Sequence, residues 1–362
     1  MTVVPAPETT APDAPVLCVE AAVTSVTQLC PSFRRITLAG PELAGLSPAL
    51  VGAGDRTRCR DAYIKLLVPP PGGEPERADL SLGLREGWFA RPAEERGWMR
   101  TYTVRGVRRT TFCGMVVPEL VIDVVVHGGH TQDGPGSRWA AGVSPGERVY
   151  LLGPGPQERP WAAWDHGGTQ RVLAVGDETA APALMSVAEE FTDTLQGAPD
   201  GGTRPRLDVV LEVPHPEDVA AHRLPADLPD VRLHVLPRAG SGEPAGHGHR
   251  AAERLARLLE LPGGAVDDVL AGRRPQRGRG APARSALSAP SAPSAGENAA
   301  ENAAEPRAWS VAGPGRADVP YVFLAGESGT VKALRRLCVD AAGIPKDHVS
   351  FMGYWRQGQA ES

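Results

Sequence analysis

Apolar and polar residues alternate in short runs from Val16 to about Leu152. The runs Val16–Val26, Phe33–Leu38, Ala62–Val68, Thr101–Val107, Leu120–Val126 and Arg148–Leu152 are rich in β-branched residues. Glycine and proline breaks such as Pro69-Pro70-Pro71-Gly72-Gly73 separate them. Side chains that change face at every residue suit a half-buried strand. The pattern predicts six strands and one short helix, Ser137–Ala141, arranged as a small closed antiparallel barrel. Leu84–Trp98 is expected as a polar excursion on the barrel rim, and its Trp88, Phe89 and Trp98 need cover.

The period changes at Arg171. Val172–Val175 is a short apolar run, followed by Gly176-Asp177-Glu178-Thr179 and a helical stretch over Ala180–Leu195. Strands are expected at Leu207–Val213, Val231–Leu236, Tyr321–Ala325 and Val349–Gly353, with helices at Ala251–Leu259 and from Gly326-Glu327-Ser328-Gly329 through Val339. Strands alternating with helices predict a parallel sheet covered on both faces. The fold class is therefore β followed by α/β, with Pro160–Gln170 as the seam.

Two stretches break the pattern. Residues 1–15 are rich in Pro and Thr and read as a disordered tail. About 264–307 runs through an arginine-rich stretch, Ser-Ala-Pro repeats and two Glu-Asn-Ala-Ala repeats. Such a composition buries too little apolar surface to offset its ordering entropy, so a disordered insertion is expected there.

Composition narrows the chemistry. The chain has 362 residues, enough for two cores. No apolar run approaches the roughly 20 residues that span a bilayer. The start lacks a basic region followed by an apolar one, so the expectation is a cytoplasmic protein without membrane insertion. A net charge of −5 gives no reason to expect nucleic acid. The five cysteines are scattered and form no Cys-x-x-Cys pair, which argues against a structural zinc or an iron–sulfur cluster. The expectation is no metal site; redox chemistry here would need an organic cofactor.

Two constellations invite one. Arg100-Thr101-Tyr102-Thr103-Val104-Arg105 alternates, placing Arg100 and Tyr102 on one face and Thr101 and Thr103 on the other. A cation, an aromatic plane and a neighbouring hydroxyl are what a flavin needs from one strand. Downstream, Asp123-Val124-Val125-Val126-His127-Gly128-Gly129 leads to Gly134-Pro135-Gly136-Ser137-Arg138-Trp139-Ala140. A glycine-rich turn opening onto a helix presents backbone N–H groups and a positive dipole end to a pyrophosphate. Ser137 is expected as the N-cap, either capping the helix or turning to a phosphate oxygen.

These motifs occur in the order found in siderophore-interacting proteins, the FAD-containing ferric-siderophore reductases, and the chain resembles that family. Asp61-Ala62-Tyr63-Ile64-Lys65-Leu66, Leu151-Leu152-Gly153-Pro154-Gly155, Gly176-Asp177-Glu178-Thr179-Ala180, Ala325-Gly326-Glu327-Ser328 and Gly353-Tyr354-Trp355-Arg356 extend the likeness over about residues 16–358. The resemblance implies a ferredoxin-reductase-like fold: an antiparallel FAD-binding β-barrel over 16–159, then a parallel-sheet NAD(P)H-binding domain over 171–358.

The resemblance also implies roles. Arg100 would hold the FAD pyrophosphate, Tyr102 would lie against the flavin or its ribityl chain, and Thr103 would bond near N5, with Thr101 beside them. His127 would sit at the cofactor, and Gly134, Gly136 and Ser137 would form the phosphate-binding helix start. Asp177, Glu178, Thr179 and Ala180 would meet the nicotinamide dinucleotide. Acidic groups repel phosphate, so Asp177 and Glu178 are expected at its nicotinamide or ribose end, or as helix-dipole partners. Lys65, Arg138 and Arg356 would receive an anionic ferric chelate, and Tyr354 and Trp355 would cover the flavin's other face. The implied function is NADH- or NADPH-dependent reduction of a ferric siderophore. A reductase feeding a redox protein partner, and a non-catalytic siderophore-binding protein, stand as alternatives. Leu84–Trp98 and the insertion are long for the family, and Gly129-His130-Thr131-Gln132 adds a second histidine.

Overall fold

A computed structural model describes residues 14–52, 59–126, 134–191, 204–224, 228, 230–240, 245–275, 309–311 and 319–358. The chain divides into two compact units. One takes in the residues up to Ala162 together with Met185–Glu190, and the other Ala163–Leu184 and Phe191 onward.

The first unit is one antiparallel sheet of seven strands: β1 (Val16–Cys30), β2 (Phe33–Ala39), β3 (Tyr63–Val68), β4 (Trp98–Thr103), β5 (Gly106–Phe112), β6 (Met115–Val125) and β7 (Arg148–Pro154). Their spatial order is β4-β3-β7-β1-β2-β6-β5. Three helices accompany them: the single turns α1 (Pro48–Val51) and α2 (Ala93–Arg96), and α3 (Pro135–Gly142). Inward residues of the strands, among them Ile36, Leu38, Ile64, Leu66, Leu120, Ile122 and Leu151, are sealed from solvent and form one core.

The strand count differs from the expected six because the Thr101–Val107 run is not one strand. β4 stops at Thr103. Val104 N–H then donates to Ala62 O and Arg105 N–H to Val121 O, which bends the chain onto β6 and curls the sheet around its core. The chain restarts as β5, which pairs with β6 across a two-residue turn at Cys113-Gly114. Both turn residues have positive φ, 49° and 79°, the geometry that suits the right-handed twist of a hairpin. Cys-Gly is not the usual Asn-Gly or Asp-Gly signal for such a turn, and the hairpin escapes the pattern.

The Leu84–Trp98 segment also differs from the expected polar rim. Trp88 is buried against Cys18, Leu67, Met99, Tyr150 and Leu152, all on the outward face of the sheet, and Phe89 and Trp161 pack beside it. The guanidinium of Arg96 lies over the rings of Trp88 and Phe89, 5.7 and 5.1 Å from their centres. This segment covers the sheet's second face. Trp98, by contrast, opens β4 and packs on the inner core.

The second unit carries the strands β8 (Arg171–Gly176), β9 (Arg206–Val213), β10 (Val231–Pro237), β11 (Trp309–Ser310), β12 (Tyr321–Glu327) and β13 (Val349–Trp355). They lie in the order β10-β9-β8-β12-β13-β11, parallel throughout except for β11. Its helices are α5 (His249–Leu258), α6 (Ala265–Leu270), α7 (Ser328–Arg336) and part of α4 (Ala181–Phe191), whose Met185–Glu190 belong to the first unit. α5, α6 and α7 pack on one face over Leu173, Val175, Val210, Val322 and Leu324. On the other, Trp164 meets Tyr321 and Phe323 edge-on, with ring centres 5.4 and 5.6 Å apart. Because both faces are covered, β8 and β12 read as unbroken apolar runs.

α6 lies inside the span expected to be disordered, and Pro275, also within it, is buried. Val266 and Val269, three apart, face the core and decide for helix there. The Ser-Ala-Pro and Glu-Asn-Ala-Ala repeats, His127 and His130 lie outside the described residues. No helix among the described residues is long and apolar enough to cross a membrane.

Candidate functional site

In the first unit the site is built on β4. Antiparallel pairing sets Leu66 opposite Arg100, Lys65 opposite Thr101, Ile64 opposite Tyr102 and Tyr63 opposite Thr103. Directly paired residues share a face. Arg100 and Tyr102 therefore stand with Ile64 and Leu66, and Tyr102 packs against the core. Thr101, Thr103 and Lys65 stand on the opposite face, where Thr101 is exposed and Thr103 buried.

α3 brings its first turn to the Arg100–Tyr102 face. A Cβ added to Gly136 would run into Tyr102 Oη and lie 3.4 Å from Arg100 Cγ. Only glycine lets this turn approach so closely. The helix starts two residues before the expected point. Gly134 is the N-cap and Pro135 takes the first helical position, so Ser137 is not the cap but a first-turn residue. Pro is pre-shaped for that position, which moves the start forward. N–H groups of a first turn have no acceptor within their helix and point along the positive end of its dipole.

The arrangement thus brings the Arg100 side chain, whose guanidinium donates to Met99 O (2.9 Å), the Tyr102 phenol and a helix start together on one strand face. Burial pushes the Tyr102 phenol well up from its ordinary value, against the opposing pull of Arg100, so it stays neutral and able to donate. Positive charge, a neutral donor and aligned backbone N–H groups suit the diphosphate of a dinucleotide. Lys65, Arg138 and Arg356 stand on three separate elements: β3, the first turn of α3, and the residue after β13.

In the second unit the expected residues cluster at the carboxyl edge of the parallel sheet, joined by partners that sequence reasoning missed. Asp177, at the end of β8, accepts from Thr179 N (2.9 Å), Thr179 Oγ1 (2.5 Å), Glu327 N (2.6 Å) and Trp355 Nε1 (3.2 Å). Glu178 is buried and bonded by both arms of Arg238, each at 2.7 Å. Arg238 also reaches Glu212 at 3.3 Å. Glu212 is sealed from solvent and accepts from Gly248 N (2.7 Å) and Ala251 N (3.0 Å). His247 has Nδ1 3.1 Å from Thr330 Oγ1 and Nε2 3.5 Å from Asp177, and its ring meets Trp355 edge-on.

One ligand atom each of Asp177, Glu178 and His247 falls within a 4.8 Å spread, so the described residues do contain a group with metal-ligand spacing where none was expected. Burial, and then the charge of Glu178, push the Asp177 carboxyl up to about 6. Burial works against the Glu327 carboxylate, but N–H bonds from Thr330, Gly329 and Gln357 hold it below its ordinary value. Ala180 ends the short turn that leads into α4 and is buried. Tyr354 and Trp355 are half-buried on β13, and Trp355 is tied through its Nε1 to Asp177 and through its carbonyl to Ser328 Oγ (2.9 Å). Glu327 was visible as an acid closing an apolar strand ahead of a helix. Glu212, Arg238 and His247 carry no local signal, since each lies far along the chain from Asp177.

Residues 22–158 match the family model described as the siderophore-interacting FAD-binding domain, and residues 169–358 the one described as siderophore-interacting protein. An uncharacterized protein of Mycobacterium tuberculosis (strain ATCC 25618 / H37Rv) is 32% identical over 167 residues, 46% of this chain and 51% of the relative. The ferric vibriobactin reductase ViuB of Vibrio cholerae serotype O1 (strain ATCC 39315 / El Tor Inaba N16961) is 31% identical over 166 residues, 45% and 50% of the two chains. The chain spans about half the length of the curated relatives it matches. Among solved structures, the siderophore-interacting protein SipS from Aeromonas hydrophila aligns with a TM-score of 0.52 at 24% identity, covering 94% of this chain and 92% of that one. A siderophore utilization protein from T. fusca aligns with a TM-score of 0.53 at 22% identity, covering 96% and 97%. At these identities the likeness concerns the fold.

Proposed function

The chain belongs to the siderophore-interacting protein family, and from that premise we propose that it reduces iron(III) carried by a siderophore, drawing electrons from a reduced nicotinamide dinucleotide by way of FAD. The observation that carries this reading is the cradle of Arg100, Tyr102 and Gly136. It sets a cation, a neutral phenol and a closely approaching helix start side by side, the groups a flavin diphosphate requires. The 31% identity to a ferric vibriobactin reductase supports the choice of acceptor. Bound FAD would mediate between a two-electron donor and an acceptor that takes one electron at a time.

The chain's own residues would act as follows. Arg100 would hold the diphosphate by charge-assisted bonds, and the neutral Tyr102 phenol would donate beside it. Gly134, Gly136 and Ser137 would turn the start of α3 toward the same phosphates. Thr103 would bond at the edge of the flavin ring, and Thr101 would flank it. Lys65, Arg138 and Arg356 would attract an anionic chelate, and Tyr354 and Trp355 would shield the ring. The siderophore's hard oxygen donors hold iron(III), and reduction weakens that hold, so release needs no iron ligand from the protein. The cytoplasm is the proposed location.

The test is anaerobic turnover of the purified flavin-loaded chain with ferric siderophore and an iron(II)-specific chromogenic chelator. Iron(II) should appear without any second protein. Neutralising Lys65, Arg138 or Arg356 should raise KM for an anionic chelate. Added salt should weaken the parent's chelate binding, because exposed charges are screened over about 8 Å at physiological ionic strength. Turnover only when a redox protein is added would replace this reading with that of a reductase serving a partner. A colourless chain that binds chelate would make it a binding protein.

A further inference from the structure

In an open parallel sheet, dinucleotides bind outside the carboxyl ends of the strands, with their phosphates on helix N-termini. The starts of α5 and α7 and the turn leading into α4 meet that edge in the second unit, and an internal carboxylate sits on each of these three. Asp177 caps the turn leading into α4 through Thr179 N. Glu212 bonds Gly248 N and Ala251 N at the start of α5. Glu327 bonds Thr330 N at the start of α7, at 2.7 Å.

These carboxylates are 2%, 0% and 7% exposed, so they do not swing aside for a ligand. Two cations of the edge are committed as well. Arg238 holds Glu178 and Glu212, and His247 lies between Thr330 and Asp177.

The glycines of this edge point the same way independently. In phosphate-binding loops, glycine leaves room for the ligand to approach the backbone. Here that room is filled by the protein. A Cβ at Gly326 would lie 2.5 Å from Asp177 Oδ2, one at Gly248 would run into the Thr330 side chain, and one at Gly176 would run into Ala325 O.

We propose that Asp177, Glu212 and Glu327 close all three helix starts to phosphate, and so set the donor specificity of this unit. The pyrophosphate and any 2′-phosphate of a nicotinamide dinucleotide find no site at these three helix starts, and the donor meets them only through its uncharged groups. NADH and NADPH then serve alike, and salt leaves the donor KM unchanged. The consequence for the donor rests on the reductase reading; the closure of the helix starts does not.

Backbone amide exchange of the flavin-loaded chain with millimolar ADP-ribose or 2′,5′-ADP tests the closure directly. The expected result is no added protection over residues 177–183, 247–253 and 327–333. Glu327→Ala, which bares Thr330 N–H, should gain about tenfold in ADP-ribose affinity, with protection appearing at the start of α7. Glu212→Gln keeps the side-chain volume, guards against a misfolded variant, and should gain at the start of α5. Protection at these amides in the parent, or no gain in either folded variant, overturns the proposal. Flavin reduction should give kcat/KM for NADH and NADPH within about threefold of each other. A larger, salt-sensitive preference for NADPH also overturns it. Loss of iron reduction would instead strike the reductase reading and leave the exchange result standing.

Discussion

Arg100 is the residue on which cofactor retention turns. It shares a strand face with Tyr102, and the first turn of α3 closes on both at Gly136. A charge-assisted contact to phosphate contributes roughly 1.5–3 kcal/mol, about tenfold to a hundredfold in affinity. Arg100→Ala should therefore lose flavin on dilution or gel filtration while Tyr102 and the core beneath it hold the strand in place. A variant that keeps its full flavin absorbance at micromolar protein would remove Arg100 from the site.

At the scale of elements, the carboxyl edge of the parallel sheet is an ion cluster that ties the ends of β8, β9, β12 and β13 to the starts of α5 and α7. Its stability carries a pH signature. The Asp177 carboxyl ionises near 4 in an unfolded chain and is pushed up to about 6 in the folded one, by burial first and by Glu178 second. The folded state therefore holds that proton more tightly. Asp177 stabilises the fold most below about pH 4, and this contribution is lost as pH rises through about 6. Relative to Asp177→Asn, the parent's unfolding free energy should fall by on the order of 1–3 kcal/mol between those limits. Urea titrations of both proteins across that range give the difference. Parallel curves, or an opposite slope, would show that Asp177 ionises freely.

For the whole molecule, the question is which parts of the chain the two units need. Helix α6 and buried Pro275 belong to the second unit, and β11 at Trp309–Ser310 pairs with β13. Residues 276–305 fall between them, and Leu287 is the one large apolar residue of that stretch of sequence. Deleting 276–305 should leave both the thermal transition and the flavin spectrum intact, because closure entropy changes slowly with loop length. An aggregated or colourless product would show that the segment packs.

The sequence by itself determined what repeats over a few residues. The two-residue period marked β1 to β4, β6 and β7 and put Arg100 and Tyr102 on one face, because alternation is a property of the strand alone. The switch to apolar runs separated by helices announced the parallel sheet, since strands buried on both faces must be apolar throughout. Tertiary structure alone decided the rest. The Cys113-Gly114 hairpin, the burial of Trp88 beneath Arg96 and the contact of Gly136 with Tyr102 each depend on a neighbour distant in sequence. The same holds for Glu212, Arg238 and His247, which became a network with Asp177 only when β8, β9 and the start of α5 were brought together. A charged residue on a surface and one buried beside its counter-ion look the same in a sequence. Desolvation and pairing act only once the fold has excluded water between them.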